Sequence, residues 1–261
     1  MRTGNRPEVA LFVTCLVDMF RPNVGLAAVQ LLARSGCEVV VPKHQTCCGQ
    51  PAYNTGDDKV ARRIAGQTIE ILENYAHIVV PSGSCAGMLK EHYPKLFASE
   101  PDWSGRAKAL AAKTYELTDF LVNVLGFDNV RAHYDGRVCY HDSCAGLREL
   151  GIKEQPRTLL KGVDGMSSVP LRDEEVCCGF GGLFCIKYPE VSGEMVGRKV
   201  KNIVASGADT LLAGDLGCLL NIAGKLTREG CNIRVWHVAE VLAGMTSGRA
   251  IGESEKRSAG N

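Results

Sequence analysis

Gln45-Thr-Cys-Cys-Gly-Gln-Pro-Ala-Tyr-Asn54 carries two adjacent cysteines followed by glycine, and the chain repeats the device at Cys177-Cys-Gly-Phe-Gly-Gly182. Each doublet sits between two lone cysteines at matching distances. The first set is Cys15, Cys47, Cys48 and Cys85; the second is Cys144, Cys177, Cys178 and Cys218. The gaps are 32 and 37 residues in the first set, 33 and 40 in the second. Eight of the 12 cysteines thus fall into two equivalent constellations. Thiols on a fixed internal repeat point to metal.

Working outward from the doublets, each half reads as alternating strands and helices. In the first half, Val9 to Thr14 is an apolar strand ending at Cys15, and Gly25 to Arg34 has helical spacing. Glu38 to Pro42 is a strand before the first doublet, Asp57 to Tyr75 an amphipathic helix, and Ile78 to Val80 a strand before Cys85. In the second half, the strands Arg137 to Tyr140, Ser167 to Leu171 and Thr210 to Ala213 lead to Cys144, the second doublet and Cys218. Helices are expected at Gly193 to Ser206 and Leu219 to Arg228. A last strand, Asn232 to Trp236, precedes a helix at Val238 to Ala243. Such alternation predicts an α/β protein of two pseudo-repeated Rossmann-like lobes with parallel sheets, the cysteines at the carboxyl ends of the strands. The expected division is 1–130 for the first lobe, 131–245 for the second and 246–261 for a disordered polar tail. Pro101 to Asn129 reads as one or two linking helices.

The bulk properties exclude several classes. A net charge of +1 gives no electrostatic case for nucleic acid or an anionic membrane. No stretch approaches the roughly 18 apolar residues of a membrane span, and Val9–Val13 is too short for a signal-peptide core. A cytoplasmic location is expected. In a reducing compartment, 12 cysteines are metal ligands, redox thiols or core residues rather than disulfides.

Adjacent cysteines suit some metals better than others. Structural zinc sites use hooks with two to four residues between ligands. Neighbouring Cα atoms lie about 3.8 Å apart with diverging side chains, which suits one tetrahedral ion poorly and a cluster better. Gly49, Gly179, Gly181 and Gly182 let the backbone approach and aim N–H groups at anionic sulfur. Cys37, Cys139 and Cys231 lack repeat-matched partners and read as core. Cys185 also reads as structural, because Asn54 and Thr55 occupy its counterpart positions. His141, three residues before Cys144, is either a proton donor or orienting group at the site, or a satisfied structural residue. Lys43, His44 and Lys187 read as solvated surface. No G-x-G-x-x-G follows a strand, so no nucleotide-type redox cofactor is indicated.

At these residues the chain resembles the cysteine-rich, CCG-containing iron–sulfur proteins, a group that includes the B subunit of heterodisulfide reductase and the iron–sulfur subunit of glycolate oxidase. It is more similar to the lactate utilization protein A family. The resemblance rests on Val9-Ala-Leu-Phe-Val-Thr-Cys15-Leu-Val-Asp18, the two doublet stretches and His141-Asp-Ser-Cys144, and covers nearly all of 8–245. It implies up to two iron–sulfur clusters, of the [4Fe–4S] kind, held by the eight repeat-matched cysteines. It further implies electron transfer in the oxidation of L-lactate to pyruvate, together with two partner subunits, one of them ferredoxin-like. Heterodisulfide reductase ends each half with C-x-x-C, but here Ser82 and Asp215 replace the first cysteine of that pair. Four thiolates per site remain, enough for an ordinary cluster. Ser82 and Asp215 are either oxygen ligands or caps of the following helices. Two other readings stand beside electron transfer: catalysis at a cluster, on a hydroxy acid or a disulfide, and a zinc-binding or thiol-sensing scaffold.

Overall fold

A computed structural model describes residues 6–253. Two four-stranded, all-parallel sheets form the framework. The first takes β1 (Glu8–Leu11), β2 (Glu38–Val40), β3 (His77–Val80) and β4 (Thr114–Glu116) in the order β2-β1-β3-β4. The second takes β5 (Ala132–Tyr140), β6 (Val163–Ser168), β7 (Thr210–Ala213) and β8 (Arg234–His237) in the order β6-β5-β7-β8. The two orders are the same permutation, which is the structural counterpart of the cysteine repeat. Helices cover both faces of each sheet, as parallel strands require.

The alternation of side chains along each strand sorts the core into three layers. Val9, Leu11 and Val79 of the first sheet share one cluster with Val138, Leu212 and Trp236 of the second. Ala10, Phe12, Ile78 and Val80 face a separate core under the helix Asp58–Leu72. Cys139, Leu211, Ala213 and Val235 do the same under Pro189–Ala205 and Leu216–Arg228. The shared middle layer contains the helix Pro22–Arg34 packed against Val238–Ala243. The lobes are therefore joined by a common apolar layer as well as by the chain.

Three departures from the sequence expectations have physical causes. β4 falls inside the segment read as linking helices. It is three residues long, too short to show any periodicity, and is held by pairing to β3. β6 begins at Val163 rather than Ser167. It is an edge strand paired only to β5, so Asp164 and Gly165 can sit in it without facing a core. Part of the expected disordered tail is packed: Ala250 and Ile251 are buried, and Ile251 donates its amide to the Val235 carbonyl. Residues 254–261 of that tail lie outside the described residues. Among the described residues no helix is long and apolar enough to cross a membrane.

Candidate metal centre

The strand ends place the cysteines. Cys15 and Cys144 follow the last residues of β1 and β5 by four positions and open the helices Cys15–Phe20 and Cys144–Leu150. Cys85 and Cys218 follow β3 and β7 by five positions, in the first turns of Gly83–Gly87 and Leu216–Arg228. The doublets lie in the loops after β2 and β6. All eight are thus at the carboxyl ends of strands, and amide-rich helix starts favour the anionic form of sulfur there.

Within each set the sulfurs form a continuous string. Cys48 Sγ donates to Cys85 Sγ at 3.5 Å. Cys47 accepts from the thiols of Cys15 and Cys48, and from the Gly49 amide at 3.4 Å. Those donors stabilise a thiolate, and the Cys47 pKa falls to about 3, the Cys15 hydrogen bond contributing most. Cys15 and Cys48 move up, first because each gives its proton to Cys47. The second set repeats this. Cys177 accepts from Cys144, Cys178 and the Gly179 amide at 3.3 Å, and its pKa falls to about 2. Cys144 and Cys178 move up for the same reason, and Cys178 also pairs with Cys218. Each lobe holds four converging soft donors with one already anionic, a donor set that fits a thiolate-ligated metal or iron–sulfur group.

The doublet glycines are required by backbone and space. Gly49 and Gly179 have φ of 86° and 83°, which L side chains rarely adopt. A Cβ on Gly179 would also stand 2.9 Å from the Ser192 carbonyl oxygen. Gly181 and Gly182 continue the second loop, likewise at positive φ. They line a cavity of about 230 Å³ beside the second set, with Cys144, Cys177, Cys178 and Cys218. Gln50, Asn54, Ser84 and His92 close that cavity from the first lobe. The corresponding cavity at the first set, about 270 Å³, is walled by first-lobe residues alone, with the exposed Met19 and Val41 at its mouth.

Ser82 and Asp215, the two residues standing where a fifth cysteine was expected, meet each other. Ser82 Oγ donates to Asp215 Oδ2 at 3.1 Å, and the Ser84 amide donates to the same oxygen at 2.9 Å. Each also caps its own helix: Ser82 accepts from the Cys85 amide, Asp215 from that of Gly217. Both residues cap their helices, and their contact doubles as a buried clasp between the lobes. Close by, Gly83 and Gly146 bring backbones together, since a Cβ on Gly83 would lie 2.8 Å from the Gly146 Cα.

His141 is fully buried, with Nδ1 3.1 Å from the Glu174 carbonyl oxygen. Burial, reinforced by the Lys199 charge, lowers its pKa to about 4, so it is neutral. Cys37 and Cys139 are buried in core clusters, and Cys231 packs at the edge of one. Cys185 donates to the Gly182 carbonyl and stays outside the string of four. Lys43, His44 and Lys187 are exposed. Sequence reasoning missed Lys199. It is buried, donates to the Asp173 and Glu174 carbonyls, and places a cation near Cys177, Cys178 and Cys218. On an amphipathic helix a lysine reads as solvated.

Comparison with known proteins defines the class first. Residues 9–90 and 138–223 each match the cysteine-rich domain known as CCG, one copy per lobe. Relatives then narrow it. Lactate utilization protein A of a Geobacillus species is 51% identical over 235 residues, covering 90% of this chain and 98% of the relative. Its counterpart in Geobacillus thermodenitrificans is 52% identical over the same spans. The chain belongs to the lactate utilization protein A family of CCG cysteine-rich proteins. A hypothetical protein from Helicobacter pylori shares the fold, with a TM-score of 0.59 at 11% identity over 97% of this chain and 51% of that one.

Proposed function

We propose that this chain is the iron–sulfur protein of a lactate-utilization system, working in the cytoplasm with two partner subunits, one of them ferredoxin-like. Cys15, Cys47, Cys48 and Cys85 would hold one [4Fe–4S] cluster, and Cys144, Cys177, Cys178 and Cys218 a second. Bound there, the clusters supply one-electron chemistry for the oxidation of L-lactate to pyruvate. The carrying observation is the string of four sulfurs with a stabilised thiolate, built twice. The chain's own part is to present those thiolates, direct the Gly49 and Gly179 amides at sulfur, and keep Cys48 and Cys178 buried from water.

Protein purified without oxygen should be brown, with iron and acid-labile sulfide in similar amounts. Zinc without sulfide would reject the reading in favour of a structural or sensing scaffold. A second reading, substrate chemistry at the second site, is favoured by the cavity of about 230 Å³ that opens on its cysteines. L-lactate with an artificial electron acceptor separates the two. Turnover only after adding the partner subunits supports the relay, whereas turnover by the isolated chain supports chemistry on it.

A further inference from the structure

The two thiol sites differ at one buried position. Three residues before the lone cysteine of the first set stands Phe12; three before that of the second stands His141. Both are buried at the ends of central strands. Phe12 is wholly apolar and packs into the outer core of its lobe. His141 brings a ring nitrogen to the second site: that nitrogen, Cys178 Sγ and Cys218 Sγ all lie within 4.8 Å of one another.

The hydrogen bonding of the ring decides which of its two nitrogens is free to act. A backbone carbonyl accepts only, so Nδ1, 3.1 Å from the Glu174 oxygen, carries the proton. In the neutral ring Nε2 then has a bare lone pair. Nε2 is buried and has no hydrogen-bond partner. A buried acceptor left unpaired is destabilising, and an imidazole whose other nitrogen donates to a carbonyl is the arrangement found in metal-ligating histidines.

We propose that His141 Nε2 is a nitrogen donor to one iron of the second lobe's group, taking the place of one of the four thiolates there, because four terminal ligands complete an ordinary [4Fe–4S] cluster. The two lobes then hold chemically distinct centres, one ligated by sulfur alone and the other by sulfur and imidazole. This rests on the iron–sulfur reading above. Coordination through Nε2 displaces no proton from the ring and leaves the Glu174 hydrogen bond intact.

The test uses full-length chain labelled with 15N-histidine, assembled with iron and sulfide without oxygen and then reduced. Pulsed electron paramagnetic resonance should show a 15N hyperfine coupling. It should vanish in His141→Phe, which copies Phe12, and survive in His92→Phe, which alters the histidine lining the cavity beside the second set. Should His141→Phe fail to fold, Cys48→Ser, which removes a ligand of the first centre, should keep the coupling. Assembled clusters with no nitrogen coupling, or a coupling that persists in His141→Phe, would overturn the inference and leave the iron–sulfur reading standing. Failure to assemble iron and sulfide would overturn that reading and this inference with it.

Discussion

The two lobes are built on one plan and finished differently. Both sheets have the same strand permutation, both doublets have a left-handed glycine, and both second strands run into the doublet loop. Yet the first lobe opens its sulfurs into a cavity that Thr14, Asp18, Gln45 and Thr46 help to line, with exposed Met19 and Val41 at its mouth. The second sets His141 and the buried Lys199 beside its sulfurs and lets the first lobe close its cavity. A cation and an imidazole near a thiolate cluster favour the more reduced, more negative form, so net charge at the second site is the lever by which the pair would differ in potential. Even the entry to the lone cysteine differs. Thr14, before Cys15, holds φ at 67°, whereas Ser143, before Cys144, is ordinary at −65°. Duplication accounts for the shared scaffold; the differences lie where the chemistry is.

The largest expected effect removes one half of that comparison. Cys48→Ser and Cys178→Ser each delete the buried centre of one string. Each variant should bind about half the iron and sulfide of the parent, and the surviving spectrum should differ between the two, since only Cys48→Ser leaves the second centre. Loss of all iron from either single variant would mean that the lobes do not hold independent centres. Removing bound iron with a chelator should lower the melting temperature of the parent more than that of either variant, because ligand bound to the folded state stabilises it.

The clasp between the lobes comes next. Asp215 takes hydrogen bonds from Ser82, the Ser84 amide and the Gly217 amide, and it is buried. Asp215→Ala leaves those donors without an acceptor and should cost roughly 2–4 kcal/mol in denaturant unfolding. Ser82→Ala removes the donor to Asp215 and the cap on the Cys85 amide, and should cost about 1–2 kcal/mol. Equal losses from the two would show that the Ser84 and Gly217 amides add nothing to the hold on the carboxylate.

A third contrast involves acid and base at equivalent positions. Glu116 ends β4 and His237 ends β8, and each is the buried cap of the helix that follows. Burial raises Glu116 to about 7 and lowers His237 to about 4, so the fold favours the neutral form of each. The unfolded carboxyl titrates near about 4.3, so Glu116 makes its full contribution below that pH and loses it as pH rises toward 7. The unfolded imidazole titrates near about 6.5, so His237 contributes fully above that pH and loses its contribution as pH falls toward 4. Over the overlap the two slopes oppose. Glu116→Gln removes one of them. In metal-free protein its stability relative to the parent should improve by roughly 3 kcal/mol between pH 5 and 8. Parallel stability curves would mean that Glu116 is ionised in the fold.

How far the sequence could be read follows the same divide. Strands buried on both faces were legible: Thr210–Ala213 and the helix Val238–Ala243 fall where the apolar runs place them. β4 was not, because three residues carry no period, and β6 was displaced because an edge strand tolerates polar residues. Convergence of the eight sulfurs was legible because the repeat fixes equivalent strand ends. The Ser82–Asp215 clasp was hidden, since it depends on how two lobes approach through a shared apolar layer. The kinship of Glu116 and His237 was equally hidden, because it appears only once β4 is known to exist. Lys199 was hidden because a lysine's burial is decided by carbonyls from another segment, Asp173 and Glu174, which no local pattern announces.

The smallest expected effect tests the boundary of the second site. Cys185 lies seven residues past Cys178, in the short helix Phe184–Lys187 that follows the glycine-rich loop, and is half-buried. Its thiol points to the Gly182 carbonyl at 3.5 Å, and its amide donates to the Phe180 carbonyl. A hydroxyl can make the same contact with the Gly182 carbonyl. Cys185→Ser should therefore change stability by no more than about 0.5 kcal/mol, the range of substitutions away from a core or network. Iron and sulfide per chain should stay at the parental value, as should the spectrum of the second centre. A loss of iron comparable to that of Cys178→Ser would enlarge the second set to five sulfurs and make the lobes differ in thiolate number as well as in their surroundings.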